Sequence, residues 1–448
     1  MALTAMEVYK NLPKTNCGDC GFPTCMAFAM QVAAKQKALT DCPHLSDEAK
    51  EELSAASAPP MQLVRIGPDG DGSVELGQET VMFRHEEKFH RPPALAGKIP
   101  ASLSDEEALA RLEQVNDAVF TRVGDDISMR LAAVELDGLA ADAAAQRAQA
   151  LSEKSRVPFV LMGTDPEGIR AAASAIGANR PLLYRATPDN AEAFVKIAAE
   201  NDCPLAVSAD TLEELADLTQ AAKEGGVPGL LLAFDGRETV QTLRSMTQAR
   251  RAALRKGFRP LGFPAMVDAS HEDLTRETVV AATFADKYAG IIILNHIEPA
   301  ALLPLLTTIQ NIYTDPQVPN TVEAKLYEIG DVNENSPVLF TTNFSLTYFC
   351  VEAEVERSRI PSYISVADTE GLGILNAYAG DKLRAETVVK TLTEQGVAEK
   401  VNHHKLIIPG LLPMFRAEIE DTSEWTEVLI GPENASGIPA FLAEKWAA

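Results

Sequence analysis

Nowhere in its 448 residues does this chain carry an apolar run long enough to cross a bilayer, so no membrane partner is expected. Its start, Met1-Ala-Leu-Thr-Ala-Met-Glu7, has neither the basic n-region nor the apolar h-region of a secretory signal, and a cytoplasmic location is expected. Basic residues are in deficit. The 40 Lys and Arg stand against 64 Asp and Glu, a formal net charge of -24 that would repel the phosphates of a nucleic acid. Beyond solubility, that acidity leaves partner steering open. Histidine is sparse at seven residues, and none of them stands in an Asp-x-His-x-x-Gly context. Cysteine is scarcer still at six, and after Cys42 only Cys203 and Cys350 follow. Both are read as core residues.

What is present sits at the front. Cys17, Cys20, Cys25 and Cys42 follow C-x2-C-x4-C-x16-C spacing, and thiols clustered in a reducing compartment more often bind metal than pair. Gly18 and Gly21 let the backbone turn tightly beside a metal group. Thr24 reads as the N-cap of a helix over residues 26–35, which puts Cys25 where helix N–H groups favour a thiolate. Pro43 after Cys42 is the way ferredoxin cysteine runs close. A 4Fe–4S cluster accepts four unevenly spaced thiolates. A structural zinc site is the alternative, although its second C-x2-C pair is missing. A disulfide or reactive thiols remain the third reading.

A chain of this length exceeds one core. An α/β multidomain protein is predicted: a small cluster domain over residues 1–58, a linker and β-hairpin segment over 59–93, a TIM (β/α)8-like barrel over 94–318, and a Rossmann-like domain over 326–448. Ala55-Ala-Ser-Ala-Pro-Pro60 is the first linker, and Pro68-Asp-Gly-Asp-Gly72 marks the hairpin. Apolar runs beginning at Leu131, Phe159, Leu182, Leu205, Leu230, Ala265 and Ile291 alternate with helical stretches, giving about seven βα units. Capping boxes are read at Ser104/Glu107 and Asp210/Glu213. The barrel's functional face offers Asp137, Thr164, Asp165, Ser208, Asp235, Asp268, Asn295 and His296, read mainly as helix caps and loop polar groups. Four further βα units place loops after Thr341, Ala367, Ile408 and Ile430 at one sheet edge, where open parallel sheets bind ligands. Glu370-Gly371-Leu372-Gly373 is the strongest of these turns, although it is not a G-x-G-x-x-G fingerprint.

The Asn16–Cys25 motif resembles a small 4Fe–4S domain shared by several proteins. One is the large subunit of the corrinoid iron–sulfur protein of the acetyl-CoA pathway. Another is the B subunit of membrane-bound ferredoxin:NAD oxidoreductases, which would need an N-terminal membrane helix and more cysteines. Over the whole chain, the domain order and the stretches Ile312-Tyr-Thr-Asp-Pro-Gln317, Thr341-Thr-Asn-Phe-Ser-Leu-Thr-Tyr348 and Lys405-Leu-Ile-Ile-Pro-Gly410 resemble the corrinoid protein family.

That resemblance implies a 4Fe–4S cluster on Cys17, Cys20, Cys25 and Cys42. It also implies a base-off cobalamin on the C-terminal domain, held by Thr341, Thr342, Thr347, Glu370, Gly371, Leu372, Gly373, Ile374, Gly410, Gly431, Asn434 and Ala435. Such a family does without an axial histidine. His403 and His404 are accordingly read as residues just before a strand rather than as cobalt ligands. The implied function is methyl carriage. Cobalt(I) accepts a methyl group from methyltetrahydrofolate through a methyltransferase and delivers it to the nickel site of acetyl-CoA synthase, while the cluster reactivates cobalt(II). The implied partners are those two enzymes, a smaller TIM-barrel subunit and a ferredoxin-type reductant. An electron-transfer adaptor without corrinoid is the alternative, and a methyltransferase acting in the barrel is a third.

Overall fold

The computed structural model describes residues 5–34, 36–46, 59–70 and 72–446. The linker read at Ala55–Pro60 falls outside the described residues up to Ala58. The chain gathers into two compact units, residues up to 120 with 127–313, and 121–126 with the residues from 314 on.

In the first unit, the helices Ala5–Asn11 and Cys25–Ala33 share a small apolar core of Val8, Leu12, Phe28, Ala29 and Val32. The Thr24 side chain accepts from Ala27 N at 3.1 Å and so fixes the start of the second helix at Cys25, as the sequence predicts. The hairpin follows, β1 (Val64–Ile66) and β2 (Val74–Leu76), paired antiparallel.

Next come β3 (Ala94–Ile99), the short β4 (Val119–Arg122) and β5 (Asp125–Ser128), which form a two-stranded sheet, and the strands β6 (Leu131–Glu135), β7 (Phe159–Met162), β8 (Leu182–Ala186), β9 (Leu205–Val207), β10 (Leu230–Asp235), β11 (Ala265–Asp268) and β12 (Ala289–Leu294). β3 and β6–β12 close into an eight-stranded parallel barrel. Each wall strand is covered on both faces. Leu131 and Ala133 join the inner core while Ala132 and Val134 meet the outer helices, and so these strands read as continuous apolar runs rather than as alternation.

The structure has one barrel strand more than the seven apolar runs. β3 escapes the reading because Gly97 and Lys98 interrupt it. Gly97 is required there, since a Cβ would lie 2.6 Å from Val115 Cγ2 on the helix Asp105–Asp117. The capping box at Ser104/Glu107 forms as expected, whereas the one expected at Asp210/Glu213 lies one residue later, at Thr211/Glu214.

The hairpin closes the barrel at the strands' N-terminal end. Gly67 N donates to Arg180 O at 3.0 Å and Gln62 N to Gly262 O at 2.9 Å, both acceptors just ahead of barrel strands. Val64, Ile66, Val74 and Leu76 join the inner core.

The second unit carries β13 (Leu326–Ile329), β14 (Val338–Thr342), β15 (Ser362–Ala367), β16 (Lys405–Ile408) and β17 (Glu427–Ile430) in the order β13-β15-β14-β16-β17. β13 is antiparallel and the other four are parallel. Two separate apolar cores form on opposite faces. One gathers Val338 and Phe340 with Val388 and Leu392; the other gathers Leu339 with Tyr348, Val355 and Leu442. The sheet is thus packed on both faces, as doubly wound sheets are. Its parallel strands run second, first, third, fourth, which is the flavodoxin-type order of such sheets, and the winding reverses between β14 and β16. Among the described residues, no helix is long and apolar enough to cross a membrane.

Candidate functional site

At the carboxyl ends of β14 and β16, where the winding reverses, the second unit opens a cavity of 570 Å³. Seven of the twelve residues expected at a cofactor site line it: Thr341, Thr347, Gly373, Ile374, Gly431, Asn434 and Ala435. Five do not. Thr342 is fully buried beside Thr341 at the end of β14. Glu370 is exposed and pairs with Lys382. Gly371 is buried at φ +75, where a Cβ would lie 2.7 Å from Thr321 Cγ2. Leu372 packs against the core that holds Val338. Gly410 lets two loops touch, because a Cβ there would lie 2.5 Å from Gly431 O.

Asn343 organises this rim, and the motif reading did not single it out. Its Oδ1 accepts from Thr369 N at 3.0 Å, Thr369 Oγ1 at 3.1 Å and Gly371 N at 3.1 Å, and its Nδ2 donates to Asp368 Oδ1 at 2.9 Å. One side chain therefore ties the loop after β14 to the loop after β15. An Asn following a buried β-run was the available signal. Leu346 and Leu375, exposed apolar residues on the cavity's rim, carried no sequence signal. Thr341 Oγ1 and Thr342 Oγ1 are buried without a hydrogen-bond partner, and Thr341 faces the cavity. Unpaired buried hydroxyls are uncommon and point to a missing acceptor or donor.

Cys350 corrects an expectation. It is exposed and lines the cavity instead of packing in a core, because the helix Ser345–Ser358 turns it to the same side as Thr347. Cys203 is buried as expected, and burial pushes its thiol up to about 12. His403 lies before β16, as read. Its Nε2 is 2.9 Å from Ser336 O, its ring meets Trp446 edge-on, and burial lowers its pKa below the ordinary value.

The cysteine motif lies in the first unit. Cys25 and Cys42 are buried in the small helical core, Cys20 packs against it, and Cys17 is exposed. Gly18 and Gly21 take φ +81 and +82, which an L side chain seldom adopts. Thiol, carboxylate and ring atoms of Cys17, Asp19 and His44 lie within 4.8 Å of one another. The His44 ring, 2.6 Å away, and then Cys17 hold the Asp19 carboxyl below the usual carboxylate range.

On the barrel's upper face the expected residues are engaged locally, in keeping with the capping reading. Asp165 caps the helix Pro166–Ile176, Asp137 accepts from Thr164 N at 2.7 Å, Asp235 caps a short turn and pairs with Arg237, and Asp268 accepts from Ser270 N at 3.0 Å. The backbone N–H groups of Asn295 and His296 donate to the buried Glu277. Ser208 is half-buried at the end of β9.

Comparison with known proteins gives two family matches. The family described as "CO dehydrogenase/acetyl-CoA synthase delta subunit" matches residues 63–442, and the family described as "Putative Fe-S cluster" matches residues 12–44. The corrinoid/iron-sulfur protein large subunit of Moorella thermoacetica is 44% identical over 443 residues, covering 98% of each chain. This chain belongs to the corrinoid/iron-sulfur protein large-subunit family. The acetyl-CoA decarbonylase/synthase complex subunit gamma of Methanothermobacter thermautotrophicus is 37% identical over 455 residues, covering 99% of each chain. The first family description names a delta subunit, but its match begins at residue 63, whereas the large and gamma subunits align from end to end, cysteine segment included. Among solved structures, a dihydropteroate synthase from Thermus thermophilus covers 50% of this chain and 95% of its own at 17% identity, with a TM-score of 0.38, too distant to bear on function.

Proposed function

We propose that this chain is a corrinoid methyl carrier with its own reactivating 4Fe–4S cluster. The observation that carries the reading is full-length similarity at 44% identity to a protein named for both groups. The cysteine set fits a cluster. Four thiols are available, two of them buried against a helix start, and glycines at positive φ keep Cβ atoms out of the turn around them. The crevice fits a large planar group. Close backbone approach at Gly410 and Gly431 shapes one wall, and two strand-end hydroxyls have no partner. Among the described residues, His403 is engaged with Ser336 O rather than with the cavity.

When bound, the corrinoid supplies a cobalt that takes up and gives up a methyl group, and the cluster supplies the electron that returns cobalt(II) to cobalt(I). The chain's own residues bind and orient. Thr341 offers its hydroxyl, with Thr347, Gly373, Ile374, Gly431, Asn434 and Ala435 around it, while Thr342 is buried beside it and does not line the cavity. Glu370, Gly371, Leu372 and Gly410 shape the loops behind. Leu346 and Leu375 keep water from the rim. The partners of this reading are a methyltetrahydrofolate methyltransferase, acetyl-CoA synthase with its nickel site, a smaller TIM-barrel subunit and a ferredoxin-type reductant.

Metal analysis of protein prepared anaerobically with corrinoid supplied tests it. One cobalt and four irons per chain are expected. Iron without cobalt would overturn the carrier and leave an electron-transfer adaptor. Cys20→Ala should abolish cobalt(II) reduction while methyl transfer from already reduced cobalt survives.

A further inference from the structure

We propose that Asn16 is a positioning residue for the Cys25 thiolate, and that it raises the reduction potential of the cluster by holding a backbone N–H on that sulfur. The inference rests on the cluster reading above.

Two hydrogen bonds join the residues reciprocally. Cys25 N donates to Asn16 Oδ1 at 2.8 Å, and Asn16 N lies 3.4 Å from Cys25 Sγ as donor. Cys25 is the first residue of its helix, so its N–H has no partner within the helix. The Thr24 side chain does not serve it, being turned to Ala27 N. The Asn16 amide oxygen, nine residues upstream, takes that place. Asn16 holds φ +50, a left-handed conformation that Asn tolerates better than most L-residues. In that conformation its backbone N–H points back at the sulfur.

The clamp acts on one thiolate only. Asp19 and His44 gather around Cys17, whereas Cys25 is 6% exposed and receives its donor from Asn16. A reduced cluster carries one more negative charge than an oxidised one. An N–H aimed at a ligand sulfur therefore stabilises the reduced form more and raises the potential. Hydrogen bonding and solvent exposure are the levers a protein has over such a centre, and this bond uses the first on a sulfur where the second is closed.

Two variants of the full chain test this under anaerobic conditions. Asn16→Gly keeps the left-handed backbone and deletes the clamp oxygen. Asn16→Asp keeps an acceptor for Cys25 N. In Asn16→Gly, iron and sulfide content should match the parent, the midpoint potential should move to more negative values, and a chelator should strip iron about tenfold faster. Asn16→Asp should release iron at the parent rate. If Asn16→Gly keeps the parent's midpoint and release rate, or if Asn16→Asp releases iron as fast as Asn16→Gly, the clamp is not what positions Cys25. Should Asn16→Gly assemble no cluster, Asn16→Asp decides: full loading at the parent's release rate supports the clamp and an empty protein overturns it. A parent chain without iron and sulfide fails the cluster reading itself, which the same iron and sulfide assay shows separately, and takes the proposal with it.

Discussion

Thr341, the last residue but one of β14, has its hydroxyl buried, unpaired and facing the cavity. Such a hydroxyl costs about 1–3 kcal/mol. Thr341→Val keeps the shape and removes the cost. Unloaded protein should therefore be as stable as the parent or more so, by up to about 1–3 kcal/mol in denaturant unfolding. Corrinoid retention on gel filtration should fall at the same time. Equal retention would take Thr341 out of the site. His403 makes a prediction of opposite character. Burial, the largest cause, depresses its pKa, so the folded protein resists protonating it. Its contribution is complete above the ordinary histidine value of about 6.5 and is lost as pH falls from there through the lower folded value. Stability of the C-terminal unit measured across that window should decline on acidification, and His403→Gln should flatten the decline. The buried and exposed cysteines show where residue-level reading stops. Residue type alone made both Cys203 and Cys350 look like core. Only the helix phase, one turn from Thr347, turns Cys350 outward.

Between elements, the strand-end loops of the second unit meet through Asn343. Replacing it with Ala strands the N–H groups of Thr369 and Gly371, both buried. Asn343→Ala should lower stability by about 2–4 kcal/mol, read from the denaturant midpoint, and should weaken corrinoid retention along with it. Much at this scale was legible. Wall strands such as β7 and β12 are apolar throughout because both faces are covered, and the Ser104/Glu107 box marked its helix start. β3 was not legible because Gly97 answers to a neighbouring helix rather than to strand propensity. The β4/β5 pair, with its exposed Val119 and Asp125, has no alternating buried face to read. Loop positions at the crevice followed from the βα rhythm. Which residues face the cavity followed only in part: seven of the twelve expected residues line it, whereas Cys350 there and the loop-tying Asn343 behind it depend on the tertiary arrangement of β14 and its helix.

At the scale of the molecule, both tryptophans, Trp425 and Trp446, belong to the unit that includes residues from 314 on, whereas helices and strands occur in both units. Tryptophan fluorescence should therefore follow only the unfolding of that unit, while far-ultraviolet circular dichroism follows both. The two denaturation curves are expected not to coincide. Superimposable curves would mean that the chain unfolds as one cooperative block. The β1/β2 hairpin that closes the barrel has a consequence in time. Its four apolar side chains leave the ribosome before any barrel wall exists, and β12, the last stave, ends at Leu294. At translation rates of roughly 5–20 residues per second, the floor waits on the order of 10–45 s for its walls. During that interval a short greasy hairpin lies open to water and to other nascent chains. Slowing translation lengthens that exposure and should lower the soluble fraction of the protein before it lowers total synthesis.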